Sequence, residues 1–376
     1  MDANLFTWHT QSDTITDLKH GLSLAQNSGA KSLLILTCHK NHYCEQELSS
    51  LFKTCPLILF GGAFPMLTFQ NNIFKRGAII IGFNEVFNVI PYENLSQYSD
   101  ENSLEGYIST VLEENNNLCC DDNFLMFYDA SVSHFESFID CLFECLDHAI
   151  TIAGGGAGST DLTSQACIFT NHGVLCDAAI LVALPKKLYT GTAQGWRILQ
   201  GPFLASEAHQ QALQSLNYQP AYQVYCQAIE EETDYRFTDD NFFDIAKRYP
   251  LGIEDINNNL IVRATYSTDS SHLKCIGYIP INSMVYLLEG SVETLLTATE
   301  QAITSIKPSS SLSSTMVFDC ISRVSYMEEE FSKELNIIEQ HCPTSTLFGV
   351  LSLGEIANGP NGAIRLLNKS TVISAW

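Results

Sequence analysis

The chain has 376 residues, of which 45% are apolar and 16% are charged, and its formal net charge is −23. At roughly 150 residues per domain, this length predicts two or three globular domains with buried cores. The negative charge repels phosphate backbones and anionic lipid head groups, which argues against nucleic-acid and membrane partners.

Further features of the sequence concern the membrane and the redox compartment. No apolar run approaches the roughly 18 residues that are needed to cross a bilayer. The first residues, Met1 to Asn4, lack the basic segment of a secretory signal. The 13 cysteines are odd in number and do not form the framework of a small disulfide-rich scaffold. We therefore expect a reduced, cytoplasmic protein.

The first predicted unit follows a helical lead-in over residues 1–30, in which a helix begins near Asp13 and ends at Gly29. The apolar run from Lys31 to Thr37 predicts a strand that is covered on both faces. A helix, a strand, a glycine pair and another strand follow at 44–52, 56–60, 61–62 and 77–83.

The same order of elements returns after the acidic, Asn-rich segment 94–122. A strand is predicted at 123–128, a helix at 131–148, a strand that runs into a glycine turn at 154–158, and a last strand at 177–184. We interpret the segments 31–90 and 123–185 as an internal duplication.

The remainder of the chain has a different pattern. Residues 186–220 are interpreted as a connector, and short strands separated by polar turns follow from Tyr249 onwards. After a helix at about 291–306, the last part predicts a strand, a helix and two further strands at 315–319, 326–340, 346–351 and 370–376. These patterns predict an α/β fold with mixed sheets covered by helices, in two domains, of which the N-terminal one is internally duplicated.

The glycine-rich segment Gly154, Gly155, Gly156, Ala157 and Gly158 is the first candidate site. Glycines let backbone N–H groups approach an anion closely, so this turn could face a ligand. A P-loop Lys-Ser/Thr is missing and no helical pattern clearly follows Ser159, so a nucleotide site is disfavoured. A tight turn at a domain interface is the favoured interpretation, and a ligand-facing turn is the alternative.

The residues Cys38, His39, His42 and Cys44 form a second candidate, at the end of the first predicted strand. Thiol and imidazole ligands could hold a metal or a haem iron there. No second half with zinc spacing occurs elsewhere in the sequence. Polar strand-end residues that face a cleft are therefore the favoured interpretation.

Cys320, Arg323 and Glu355 are the third group of candidates. A thiol near a guanidinium can have a lowered pKa, so Cys320 could be reactive, but no positioned base is evident. Glu355 follows a buried strand and Gly354, which brings the backbone close to whatever lies in front of it. This carboxylate could bind a ligand ammonium, act as a base, or form a structural pair with Arg323 or Arg263.

The sequence resembles the FIST family, bacterial sensory proteins in which a FIST N-terminal domain precedes a FIST C-terminal domain. The resemblance covers residues 30 to 376, and it implies an N-terminal domain at 31–219 and a C-terminal domain at 220–376. Its motifs are the segments 33–60, 154–158, 169–179, 195–196, 220–225, 249–253, 318–323, 348–356 and 367–371, together with Arg263. The segment 61–65 departs from the family's usual turn.

The resemblance implies a sensor of a small ligand, such as an amino acid, bound in the cleft between the two domains. The expected ligand-binding residues are the segment Gly154 to Gly158 together with Cys320, Arg323, Gly354, Glu355 and Asn368. Because the sequence carries no kinase or cyclase module, we expect a separate signalling partner, such as a histidine kinase or a cyclase. No cofactor is expected.

Three alternatives to this sensor stay open at the level of sequence. One is an interaction scaffold that binds no small molecule. In a haem-based sensor of nitric oxide, His39, His42 or His172 would supply the axial ligand. In a hydrolase-like enzyme, Cys320 or Glu355 would be the reactive group.

Overall fold

The apolar runs of the sequence form the central strands of three six-stranded sheets. A fourth sheet, of eight strands, is formed by the chain segment 197–289. The structure is a computed structural model that describes residues 5–98, 100–115, 123–146, 150–238, 240–255, 259–308, 312–359 and 362–376. The end of the helix predicted to reach His148 lies outside the described residues. No helix in the described part of the chain is long and apolar enough to cross a membrane.

The first unit contains a parallel pair of strands joined by a helix. Its elements, with the strand and helix that precede them, are β1 (Phe6–Thr10), α1 (Ile15–Asn27), β2 (Ser32–Cys38), α2 (Glu45–Lys53), β3 (Ile58–Phe64), β4 (Met66–Phe69), β5 (Asn72–Phe74) and β6 (Ala78–Phe83). β2 and β3 are parallel, and β6 returns antiparallel to β2. The lead-in therefore contains a strand, β1, besides the expected helix, and β1 pairs with β6.

The second unit repeats this order. Its elements are β7 (Asn88–Tyr92), α3 (Glu101–Glu114), β8 (Asn123–Asp129), α4 (Phe135–Cys145), β9 (Thr151–Ala157), β10 (Ile168–Thr170), β11 (Gly173–Leu175) and β12 (Ala179–Leu184). β8 and β9 are parallel, and β12 is antiparallel to β8. The glycine-rich segment thus lies largely within strand β9, where a turn was predicted.

The following segment forms one strand of a six-stranded sheet, β13, then the eight-stranded sheet, and three helices. Its elements are β13 (Tyr189–Ala193), β14 (Arg197–His209), β15 (Ala212–Leu216), β16 (Gln219–Pro220), α5 (Ala221–Glu232), α6 (Phe242–Ala246), β17 (Leu251–Glu254), β18 (Leu260–Arg263), β19 (Thr265–Thr268), β20 (Leu273–Cys275), β21 (Met284–Glu289) and α7 (Val292–Ser305). The connector expected at 186–220 therefore consists mostly of strands. β14 carries register shifts against both neighbours, which obscure its alternating pattern.

The C-terminal segment forms a third unit of the same order. Its elements are β22 (Ser314–Cys320), α8 (Ile321–Met327), α9 (Phe331–His341), β23 (Thr346–Ser352), β24 (Glu355–Asn358), β25 (Ile364–Leu367) and β26 (Thr371–Ala375). β22 and β23 are parallel, and β26 is antiparallel to β22. One helix was predicted where α8 and α9 lie, and the two are separated by a 3-10 turn. The predicted mixed α/β class is confirmed.

The three units exchange their hairpins in a closed cycle. The hairpin β4–β5 of the first unit pairs with β23 of the third, β10–β11 of the second pairs with β3 of the first, and β24–β25 of the third pairs with β9 of the second. In addition, β13 pairs with β26, so strands from both sides of residue 220 share one sheet. We call this assembly the three-unit body.

One glycine recurs at the same place in each unit. Gly61, Gly154 and Gly349 face Ile35, Met126 and Val317 across the parallel strand pair. A Cβ atom at Gly154 would lie 2.3 Å from the Met126 carbonyl oxygen, and the other two glycines have similar contacts. Glycine in a strand marks such a close approach of another backbone.

Substitution of this glycine tests the repeat. We expect Gly154→Ala to lower the free energy of unfolding by about 2–3 kcal/mol, because the added methyl overpacks the strand pair. Gly106→Ala is the control, since Gly106 lies in α3 with nothing near its Cβ position and alanine favours the helix by about 0.5–1 kcal/mol. Urea denaturation measures both changes, and equal stability of the two variants would contradict the prediction.

Candidate functional site

The third unit differs from the other two by polar residues at three buried positions. By strand register, Ser352 takes the place of Phe64 and Ala157, and Ser370 takes the place of Gly77 and Ala178. Glu355 stands where the other units have Leu67 and Ile168. Burial of polar groups costs free energy unless they are paired, so their concentration in one unit marks a specialised site.

These three residues are bonded to one another. The hydroxyls of Ser352 and Ser370 each donate to the Glu355 carboxylate at 2.8 Å, and the Ser370 backbone N–H donates to it at 3.3 Å. Glu355 is fully buried. Burial raises the pKa of Glu355 to about 7, although the serine donors act in the opposite direction.

The glycines near Glu355 allow the chain that carries it to approach strand β9. A Cβ atom at Gly155 would lie 2.8 Å from Ser352 Cβ, and one at Gly354, whose φ is +105°, would lie 2.6 Å from the Tyr128 hydroxyl. The Gly156 N–H donates to the Gly354 carbonyl at 2.9 Å, and the Gly158 N–H donates to the Ala63 carbonyl at 2.8 Å. These two amides are therefore occupied within the protein, and the segment positions Glu355.

Cys320 lies at the end of β22, in the same buried cluster. Its Sγ lies 2.9 Å from the Ser322 hydroxyl. Burial, with a smaller effect of the Glu355 carboxylate, raises the pKa of the Cys320 thiol to about 12. A nucleophilic cysteine needs a lowered pKa, so this environment does not favour a reactive thiol.

Lys369, which the site residues predicted from the sequence do not include, is buried beside this cluster. Its Nζ donates to the Lys247 carbonyl at 2.8 Å and lies 5.2 Å from the centre of the Trp196 ring. Burial lowers the pKa of Lys369 to about 8. Alignment of the three repeats would have placed Ser370 of this turn at the position of Gly77 and Ala178.

Arg323 belongs to a separate ion cluster. Its Nη2 donates to Glu334 Oε1 at 2.8 Å and Oε2 at 3.0 Å, and its Nε lies 3.3 Å from Asp319 Oδ1. Arg323, Asp319 and Glu334 are all completely buried. Burial and repulsion by Glu334 raise the pKa of Asp319 well above its usual range. Arg323 and Glu355 therefore each have partners of their own and do not pair with each other.

A cleft of about 790 Å³ is lined in part by Ser370. One wall belongs to the three-unit body and the other to the eight-stranded sheet. The lining residues include Thr190 to Gln194, Asn358, Leu367, Asn368 and Ser370 on the first wall, and Asp255 and Asn259 to Val262 on the second. Arg365 also lines the cleft and pairs with Asp255 at 3.2 Å, which links the two walls.

Asn368 supplies an unsatisfied polar group to this cleft. Its Oδ1 accepts from the Ala264 N–H at 3.0 Å, so the amide orientation is set and Nδ2 is the remaining donor. Asn368 is 2% exposed, and its Nδ2 has no hydrogen-bond partner among the described residues. Buried polar groups are almost always paired, so this unpaired donor in a residue of the cleft wall makes Asn368 a candidate ligand contact.

The candidate haem ligands lie elsewhere. His39 and His42 flank the short turn after β2, and His39 Nε2 lies 3.0 Å from Gln165 Oε1. His172 is exposed in the turn between β10 and β11. Across the described ranges, no three His, Cys, Asp or Glu side chains are arranged to hold a metal. The structure does not bring these histidines to the cleft.

The FIST N domain model matches residues 46–219 and the FIST C domain model matches residues 221–358. No curated protein matches the chain. FIST domains are associated with sensing in signal transduction. The matched domains follow each other in the predicted order, and the chain belongs to the family in which a FIST N domain precedes a FIST C domain.

Proposed function

We propose that the protein is a cytoplasmic sensor that binds a small polar ligand in the cleft between the three-unit body and the eight-stranded sheet. The observation that carries the proposal is Asn368, a residue of the cleft wall whose buried amide Nδ2 has no hydrogen-bond partner among the described residues. Pockets of this size and mixed lining are typical of small-molecule sites.

The chemistry of the cleft favours a ligand with a carbonyl or carboxylate oxygen. Asn368 Nδ2 and Arg365 Nε are both donors without hydrogen-bond partners among the described residues. An ionised acceptor makes the stronger bond with such donors. An amino acid or a similar small carboxylate meets this requirement, and it agrees with the association of FIST domains with sensing.

The position of the cleft suits a signalling role. A ligand that contacts both walls favours the arrangement in which they lie close together, and only such differential affinity can shift a conformational equilibrium. The shift would be detected by a separate signalling protein, such as a histidine kinase or a cyclase.

A thermal-shift titration tests the proposal. The purified chain is titrated with the twenty amino acids and with small carboxylates, and we expect at least one to raise the melting temperature with dose. Asn368→Asp keeps the acceptor for the Ala264 N–H but replaces the donor, so it should weaken binding about tenfold or more. Asn27→Asp, in α1, is the control with the same charge change. Equal binding by Asn368→Asp and the wild type would contradict the assignment of this site.

A further inference from the structure

Strand β18, on one wall of the cleft, is the terminal strand of the eight-stranded sheet. The Asp255 N–H donates to the Asn259 carbonyl, and antiparallel pairs alternate every second residue. Ile261 and Arg263 therefore bond to β17, while the backbone N–H groups of Leu260 and Val262 point away from it. Among the described residues, no backbone group bonds these two N–H groups from the outer side.

Asn368 bonds to the next backbone N–H group that points away from β17. The Ala264 N–H, which continues the alternation of Leu260 and Val262, donates to Asn368 Oδ1. The side-chain amide thus acts as the first group of an additional strand along β18. Its Nδ2 has no partner among the described residues and is the donor left for an acceptor on such a strand.

The shape of the cleft indicates an elongated occupant. Its opposite wall is formed by five consecutive residues, Thr190 to Gln194, which at about 3.3 Å per residue extend over about 13 Å. A volume of about 790 Å³ exceeds what one amino acid fills. The apolar side chains of Leu260, Val262 and Leu367 line the same space.

We propose that the ligand is a free peptide of four or five residues that binds in extended form along the outer edge of β18, with its terminal carboxylate at Asn368. This proposal rests on the proposed function, because it uses the same cleft. Main-chain bonds to an exposed strand edge give affinity in such complexes, and alternate side chains give specificity. Because Asn368 lies at the C-terminal end of β18, the bound peptide runs parallel to it.

The first experiment compares peptides with amino acids. The full chain is incubated with a pool of random pentapeptides that have free carboxyl termini, bound peptides are identified by mass spectrometry, and their affinities are measured by calorimetry beside those of the twenty amino acids. We expect enriched peptides that bind more tightly than any amino acid and that lose about tenfold in affinity as C-terminal amides. Binding of amino acids without any peptide would overturn the peptide proposal but leave the proposed function standing. Binding of neither would overturn both.

The second experiment tests the strand pairing without any change to the protein. Each amide of an enriched peptide is N-methylated in turn, and we expect losses of about tenfold at every second position with little change between them. Equal losses at all positions, or at none, would overturn pairing with β18.

A protein variant gives the complementary result. Leu260→Pro removes an outward N–H without removing a bond to β17, and Leu260→Ala is the matched control that shortens the side chain but keeps the N–H. We expect the proline variant to bind the peptide about tenfold more weakly than the alanine variant. Equal affinities would count against the pairing.

Discussion

Replacement of Arg323 by leucine is expected to lower the free energy of unfolding by about 3–5 kcal/mol at neutral pH. The substitution leaves the carboxyl groups of Asp319 and Glu334 buried without their cation. Arg323 also donates to the Gln194 carbonyl at 2.8 Å, so the change removes a bond between α8 and the segment after β13. Urea denaturation measures the loss.

Two further variants distinguish the stability lost with the ion cluster from a general effect of introducing leucine. Lys333→Leu breaks the exposed ion pair with Glu330, and it should change stability by less than about 1 kcal/mol. Arg323→Leu combined with Glu334→Leu should recover part of the loss, because it removes an unpaired buried charge. If Arg323→Leu proved as stable as the wild type but failed to bind ligand, Arg323 would be a ligand-binding residue, as the sequence resemblance implies.

The stability of the protein should depend on pH through Glu355. The pKa of Glu355 is raised from its usual value of 4.5 to about 7 in the folded chain. Between these values the folded chain holds a proton that the unfolded chain releases, so this contribution is complete below pH 4.5 and is lost as the pH rises through 7. The expected loss is about 3 kcal/mol.

Glu355→Gln isolates this contribution, because the amide is similar in shape and does not titrate. The difference in unfolding free energy between the wild type and Glu355→Gln should fall by about 3 kcal/mol from pH 4.5 to pH 8. Glu113→Gln, at an exposed position of α3, is the control and should give no such trend. A difference that does not vary with pH would show that Glu355 is not a buried, protonated group at pH 6.

Some elements of the fold could be predicted because their signals are local. β2 contains the apolar run Leu33 to Leu36 and β6 is apolar throughout, since both faces of each strand are covered. Helix α7 has a hydroxyl cap at Ser291 and ends near the predicted residue. The order of strand, helix and strand was visible in all three units. The equivalence of the third unit was not recognised, because its polar residues replace apolar ones at matching positions.

The glycine-rich strand β9 could not be recognised from local pattern. Glycine is depleted in strands, so the run at 154–158 predicts a turn. Tertiary contacts require these glycines in the strand. Gly154 lies against the Met126 carbonyl, and Gly155 lies against Ser352, about two hundred residues away in sequence. The same distance in sequence separates β9 from its partner β24, which carries Glu355.

The same distinction between local signals and tertiary contacts applies to the candidate site. The family and the mixed α/β class could be read from short motifs and from residue type, and the same motifs predicted Glu355 and Asn368 as site residues. The groups that surround these residues depend on the fold. They are the two serines that bond to Glu355, the carboxylates that bond to Arg323, and the edge of β18 beside Asn368. The physical reason is that each of these contacts joins residues from separate elements, and hairpins exchanged between units set their positions, whereas local periodicity reports only which face of an element is buried.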